Sequence, residues 1–293
     1  MKRLFIVFFI IISATLAGIL VNEVSGDANI QTIRVSDSRE FLEALGSDRI
    51  IILKPGKYNL SEWDPYLDKS EQKLRYSNIK KHGNLKLAKG VSWSDETFDG
   101  GELGLTGIKN LTIRGLSAEK KSEIIVDPRY IFVLKFDRCS NIVIDRLTAG
   151  HSQGGYCVGG VFYFIDSSRI KIISTNMYGC GTIGLALSNV SDMKVSLSKI
   201  YECTYGIMDI SAGKNITFEK CIFRDNQEFT MIGVSAAKNI SFIGCEFIKN
   251  SGTEMFSVGD TTVSVSNSIF KGNKIQSPID GSDNVMFSNC KFD

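Results

Sequence analysis

The chain has 293 residues, 43% of them hydrophobic and 23% charged, with a formal net charge of +2. So even a balance excludes the bulk electrostatic attraction that drives non-specific nucleic-acid binding. Two histidines and seven cysteines, none in a Cys-x-x-Cys pair, make no zinc pattern, and the odd cysteine count leaves at least one thiol unpaired in an exported monomer.

Residues 1–26 read as an export signal. Lys2-Arg3 precedes a nearly unbroken apolar run from Leu4 to Leu20, and Val24 and Gly26 suit cleavage before Asp27. A retained membrane anchor is the alternative. Residues 27–293 are long enough for one domain with a large core. A short helix is predicted from Asp37 to Leu45. Asp37 supplies the cap, Glu40 the capping-box position, and Phe41, Leu42 and Leu45 one apolar face. Ile50–Leu53 then reads as a buried strand. The helix is placed to cover the open edge of the first strands.

Residues 61–102 interrupt the pattern and read as a long excursion. Lys69 to Lys89 carries seven basic residues and one acidic, and Asp95, Glu96, Asp99 and Glu102 form an acidic run. That run suits either a calcium site or an exposed loop.

From Ile144 onward one phrase recurs. Its clearest copies start at Asn215, Asn239 and Asn284, each reading Asn-apolar-x-Phe-x-x-Cys-x-Phe. Its inward apolar position falls at Ile144, Ile172, Val195, Phe218, Phe242, Val265 and Phe287, in steps of 22 to 28 residues. That period is one coil of a solenoid. Alternation puts Phe218, Cys221 and Phe223 inside and Thr217 and Ile222 outside. Asn226, Asn250 and Asn273 share a turn column and are expected to bond one another. Cys221, Cys245 and Cys290 share an interior column. Cys157 lies off the repeat, where a disulfide to Cys180 or Cys203 suits an exported protein.

The phrase, followed by Gly-Ile and another strand, resembles the right-handed parallel β-helix superfamily, in particular the pectate-lyase-like and NosD-like repeat proteins. Ile50-Ile-Ile-Leu-Lys-Pro-Gly-Lys-Tyr58 resembles the first coil of those proteins. The resemblance implies an all-β single-stranded solenoid of about 23-residue coils with a short N-terminal capping helix. Counting residues against the period gives nine or ten coils. A leucine-rich repeat is the rival, but its helix and leucines are missing. The superfamily spans lyases, hydrolases, epimerases, adhesins and non-catalytic proteins. Two of its signatures fail here. Gly150-His151 with Arg169-Ile-Lys171 lacks the aspartates of polygalacturonases, and the calcium-binding aspartates of pectate lyases are not recognisable.

The repeat register also maps the surface. Gly150, Tyr178, Tyr201 and Arg224 form one column, and His151, Gly179, Glu202 and Asp225 the next. Lys135, Tyr163, Ala186, Asp209 and Gly233 point outward from the following strand. Together these predict one polar, aromatic patch suited to sugar rings. Glu202 and Asp225, one coil apart, are the candidate acid/base pair. His151, expected to be exposed in its glycine-rich loop, is a candidate base. Lys135, Tyr163, Tyr178, Tyr201 and Asp209 are candidate substrate contacts. No metal or other cofactor is expected.

The reading is an exported protein, periplasmic, cell-surface or secreted, that interacts with a polysaccharide; its enzymatic form would be a lyase or glycoside hydrolase. The alternative is a non-catalytic surface or periplasmic scaffold that uses the basic excursion. The last phrase ends at Phe292, so the final coil is expected to meet a second copy or another protein, a fraying last coil being the alternative.

Overall fold

The corners of the coil are set by residues in the left-handed backbone region. Successive coils place Arg146, Ser174, Leu197, Lys220, Gly244, Asn267 and Asn289 there at one corner, with φ between 48° and 62°. Gly179, Glu202, Asp225, Lys249 and Gly272 do the same at another, with φ between 39° and 60°. Such a residue costs about 1–2 kcal/mol when it carries a Cβ. It turns the chain within one residue, and the next side chain then points inward to satisfy the corner.

The computed structural model describes residues 29–67, 85–117, 119–154, 157–179 and 183–293. The leader, most of the basic excursion and Cys180 lie outside the described residues. Three parallel sheets of ten, nine and eight strands wrap one interior, and one α-helix is present among the described residues. A single antiparallel strand, Val91–Ser94, pairs with Glu102–Thr106 at the first edge of the eight-stranded sheet. About seven turns contribute a strand to all three sheets, fewer than the nine or ten expected. Counting residues against the period had included the cap, the excursion and the partial coils at both ends. No described helix is long and apolar enough to cross a membrane.

Register follows the repeat. Ile144, Ile172, Val195, Phe218, Phe242, Val265 and Phe287 are successive partners in the ten-stranded sheet. Phe218 and Phe242 meet Phe223 of the nine-stranded sheet edge-on at 6.1 and 6.0 Å, while each column stacks on itself. Phe218 and Phe242 are parallel at 4.7 Å, and Phe247 and Phe270 at 4.5 Å. These distances are the strand spacing itself, so like packs on like. In the final coil Phe287 is half-buried and Phe292 is 41% exposed.

The corners are satisfied by ladders. Asn226 Nδ2 donates to Asn250 Oδ1 at 2.9 Å, and Asn250 Nδ2 to Asn273 Oδ1 at 3.1 Å. The backbone N–H groups of Cys203, Asn226 and Asn250 each donate to the Asn Oδ1 one coil ahead, at 2.9 to 3.1 Å. At the other corner thiols do related work. Cys221, Cys245 and Cys290 donate to the carbonyls of Val195, Phe218 and Val265, one coil back, at 3.4 to 3.5 Å. The two columns thus give partners to corner amides and carbonyls that burial would otherwise strand.

Helix α1, Ser38–Ala44, covers the first edge and packs on strands Gln31–Val35, Arg49–Leu53 and Gly56–Asn59. Asp37 accepts from the Glu40 N–H at 2.8 Å. Glu40 reaches one residue further back than a capping box would, accepting from the Ser36 N–H at 2.8 Å. Arg49 closes the other end by donating to the Ala44 and Leu45 carbonyls at 2.7 and 2.8 Å.

Candidate functional site

The outward column of the eight-stranded sheet is the expected one. Lys135, Tyr163, Ala186, Asp209 and Gly233 are successive partners, preceded by Gly104 and followed by Ser257. Each end of it has its own chemistry. Lys135 Nζ lies 2.9 Å from Glu102 Oε2 and 5.9 Å from the Tyr163 ring centre. Burial pulls the Lys135 pKa down, but the bond to Glu102 and its charge outweigh that and hold it above 10.5. The Tyr163 ring packs on Phe132 at 4.9 Å.

Asp209 stands between two positions with little or no side chain, Ala186 and Gly233. Its Oδ1 lies over Gly233, in the space a Cβ there would need. Partial desolvation in that notch raises its pKa above 3.8. A groove of about 590 Å³ opens here, lined by Asp209, Ser211, Thr230, Gly233, Ser235 and Ser257 among others. It shares Ser257 with a second pocket of about 280 Å³.

Tyr178 and Tyr201 lie on a different sheet, the nine-stranded one, in the expected column with Gly150 and Arg224. Their rings stack on each other at 5.8 Å, and the Arg224 guanidinium covers Tyr201 at 4.4 Å. The Tyr178 ring lies over Gly150, and its hydroxyl donates to Glu123 at 3.3 Å. The stacking faces are therefore occupied within the chain. The single patch expected from register divides into two surfaces, separated by the turn that carries Glu202 and Asp225.

Glu202 and Asp225 are the left-handed residues of that turn, with φ of 59° and 56°. Asp225 pairs with Arg224. Glu202 is exposed.

His151 departs from expectation. It is 2% exposed, because it continues a strand inward instead of riding on the glycine-rich loop. Its Nε2 donates to the Ile131 carbonyl at 3.0 Å, and its Nδ1 has no partner. Burial lowers its pKa below 6.5, against the opposing effect of the nearby carbonyls and of Asp99 and Asp127. The ring is neutral packing under the turn, out of reach of a surface ligand.

Two residues of the acidic run are likewise absorbed, while Asp95 and Glu96 stay exposed. Asp99, 1% exposed, accepts from the Arg129 and Tyr130 N–H groups at 2.6 and 3.2 Å. Glu102 accepts from Phe132 N at 3.0 Å while it holds Lys135. Among the described residues no three His, Cys, Asp or Glu side chains come together as a metal site. Cys157 and Cys203 are both buried and are not bonded to one another.

Sequence reasoning missed Tyr205 and Phe229. They stack at 4.8 Å on adjacent turns beside the groove, and Phe229 is 49% exposed. Their spacing of one coil was the available signal. It also missed Glu102, which was assigned to the excursion and instead begins the first parallel strand of its sheet.

A family model described as "right handed beta helix region" matches residues 108–292. The chain belongs to this right-handed β-helix family. No curated protein matches the sequence. Among solved structures, this β-helix is similar to the pectate lyase Bsp165PelA from Bacillus sp. N165, solved with trigalacturonate. The two are 12% identical, over 92% of this chain and 83% of that one, with a TM-score of 0.54. A thermostable pectate lyase, PL 47, gives 11% identity over 89% and 79%, with a TM-score of 0.55. A variant Bacillus subtilis pectate lyase gives 10% over 90% and 82%, with a TM-score of 0.52. At these identities the likeness is one of fold.

Proposed function

We propose that this β-helix is an exported protein that holds a polysaccharide along the outer face of its eight-stranded sheet. The observation that carries this reading is the column Lys135, Tyr163, Ala186, Asp209 and Gly233. It sets a cation, an aromatic ring and a carboxyl group on one outward line, with only the small Ala186 between the ring and the carboxyl. Support also comes from the fold neighbours, which are pectate lyases, one of them solved with trigalacturonate.

Within this reading Lys135 and Tyr163 orient the sugar. A carboxyl group whose pKa is raised holds a proton at higher pH than a solvated one, which suits a general acid or base. If glycosidic bonds are broken, Asp209 is therefore the group best placed to move the proton. Glu202 and Asp225 are the competing pair, one coil apart on the neighbouring turn. His151 positions the turn and touches no ligand.

The test is a glycan array on the protein, with each hit incubated and assayed for new chain ends. Tyr163→Ala should lose binding, and Asp209→Asn should lose any turnover while binding persists. Retention of both by both variants would remove the column from the site. Binding without new ends would assign a non-catalytic carbohydrate-binding protein.

A further inference from the structure

The groove beside Asp209 has an electrostatic character that its fold neighbours' ligand would not tolerate. Its walls and those of the pocket sharing Ser257 contribute three carboxylates, Asp209, Glu254 and Asp283. Among the described residues neither lining contains a Lys, Arg or His. The one cation in the outward column, Lys135, is held by Glu102 at 2.9 Å. No grouping of three metal ligands is present among the described residues to bridge a negative ligand to these negative walls.

The other polar residues of the lining are hydroxylic, Ser211, Thr230, Ser235, Ser257, Ser277 and Ser282, set among Ile210, Val234, Phe256, Val258, Pro278 and glycines. Beside it Phe229, on which the Tyr205 ring stacks at 4.8 Å from the preceding turn, remains 49% exposed. Carboxylates and serine hydroxyls accept hydrogen bonds from sugar hydroxyls, and an open aromatic face takes the apolar face of a pyranose. Anionic sugars would meet like charge along this groove, a repulsion that grows as the charges approach.

Resting on the polysaccharide reading above, we infer that the groove takes a glycan carrying no acidic group, bound through its hydroxyls, and rejects polyuronates. Screening weakens like-charge repulsion, so the residual affinity for a polyuronate should rise with ionic strength, opposite to binding at a basic surface.

The experiment titrates the protein calorimetrically with a soluble uncharged β-glucan, a galactan, chitosan oligosaccharides, polygalacturonate and alginate, at low and high salt. The expected result is binding of at least one uncharged or amino-bearing glycan. Both polyuronates should bind at least about tenfold more weakly, and their binding should strengthen with salt. Tighter binding of a polyuronate that weakens with salt would overturn the inference and leave the polysaccharide reading standing. Failure of all five glycans to bind would overturn both. Glu254→Lys supplies the second arm. The ratio of polyuronate to uncharged-glycan affinity should rise about tenfold, and an unchanged ratio would refute the role of the groove carboxylates.

Discussion

Removing the side chain of Asn250 should be far more damaging than removing another ladder asparagine. Asn250 is fully buried. Its Oδ1 accepts from the Asn226 backbone N–H at 3.1 Å and the Asn226 side chain at 2.9 Å. Its Nδ2 donates to the Phe223 carbonyl at 2.9 Å and to Asn273 at 3.1 Å. Asn250→Ala takes this partner from the buried Asn226 N–H and the Phe223 carbonyl, while Asn226 Nδ2 keeps the Ile200 carbonyl and Asn273 Oδ1 keeps the backbone N–H of residue 250. A net bond is worth about 1 kcal/mol and a buried orphan costs about 1–3 kcal/mol, so with incomplete additivity the loss should be about 3–5 kcal/mol. Asn239 makes a bond of the same length, 2.9 Å to Asn215, but on the surface. Water replaces that partner, so Asn239→Ala should cost at most about 1 kcal/mol, mostly from its left-handed backbone. Urea unfolding followed by far-UV circular dichroism gives both numbers, provided the slopes agree. Hydrogen exchange at the Asn226 amide should quicken in Asn250→Ala alone. Equal destabilisation by the two variants would refute the claim that buried ladder bonds lock the coils.

Other perturbations separate structure from chemistry. His151 has a lowered folded pKa, so its contribution is present above about 6.5 and is lost as pH falls below it, when only the unfolded state takes up the proton. His151→Gln should flatten that acid limb in thermal melts between pH 7 and 5. Asp209 has a raised folded pKa, so the folded state holds its proton more tightly and stability falls as pH climbs through the interval above 3.8. Asp209→Asn should remove that decline and be the more stable protein at neutral pH. Glu202→Gly relieves a left-handed residue, with φ of 59°, and should leave stability unchanged or raised by up to about 1 kcal/mol. Any turnover should survive it, and its loss would move the acid/base role from Asp209 to the turn.

The architecture was legible because it is periodic. One correct phrase, read from Asn215 to Phe223, fixes every neighbour, and the columns through Tyr178 and through Asp209 pair as the spacing implied. Register, however, does not report where a side chain leans. Tyr178 folds back over Gly150 toward Glu123, and Arg224 folds over Tyr201, so rings that looked available are spoken for. Nor does register describe irregular turns. His151 is the last residue of a strand, Thr148–His151, whose path turns it inward, and only the three-dimensional course of residues 127–132 shows what lies above it. Glu102 was hidden for a similar reason, since it precedes the first regular phrase and bonds a lysine 33 residues away.

The covered first edge has a consequence for how the chain acquires its shape. Helix α1 and the strands under it are made early in synthesis and close on each other through local contacts, among them Phe41 on Tyr58 at 6.1 Å and Trp63 Nε1 on Ser38 at 3.2 Å. Each later coil finds a finished template one strand spacing away and needs only its predecessor in order to form. Growth can therefore proceed in one direction, with a single advancing edge whose exposed backbone is covered by the next coil to emerge. A lesion in an early coil would stall everything after it, whereas the same lesion near Phe287 would spare the template behind.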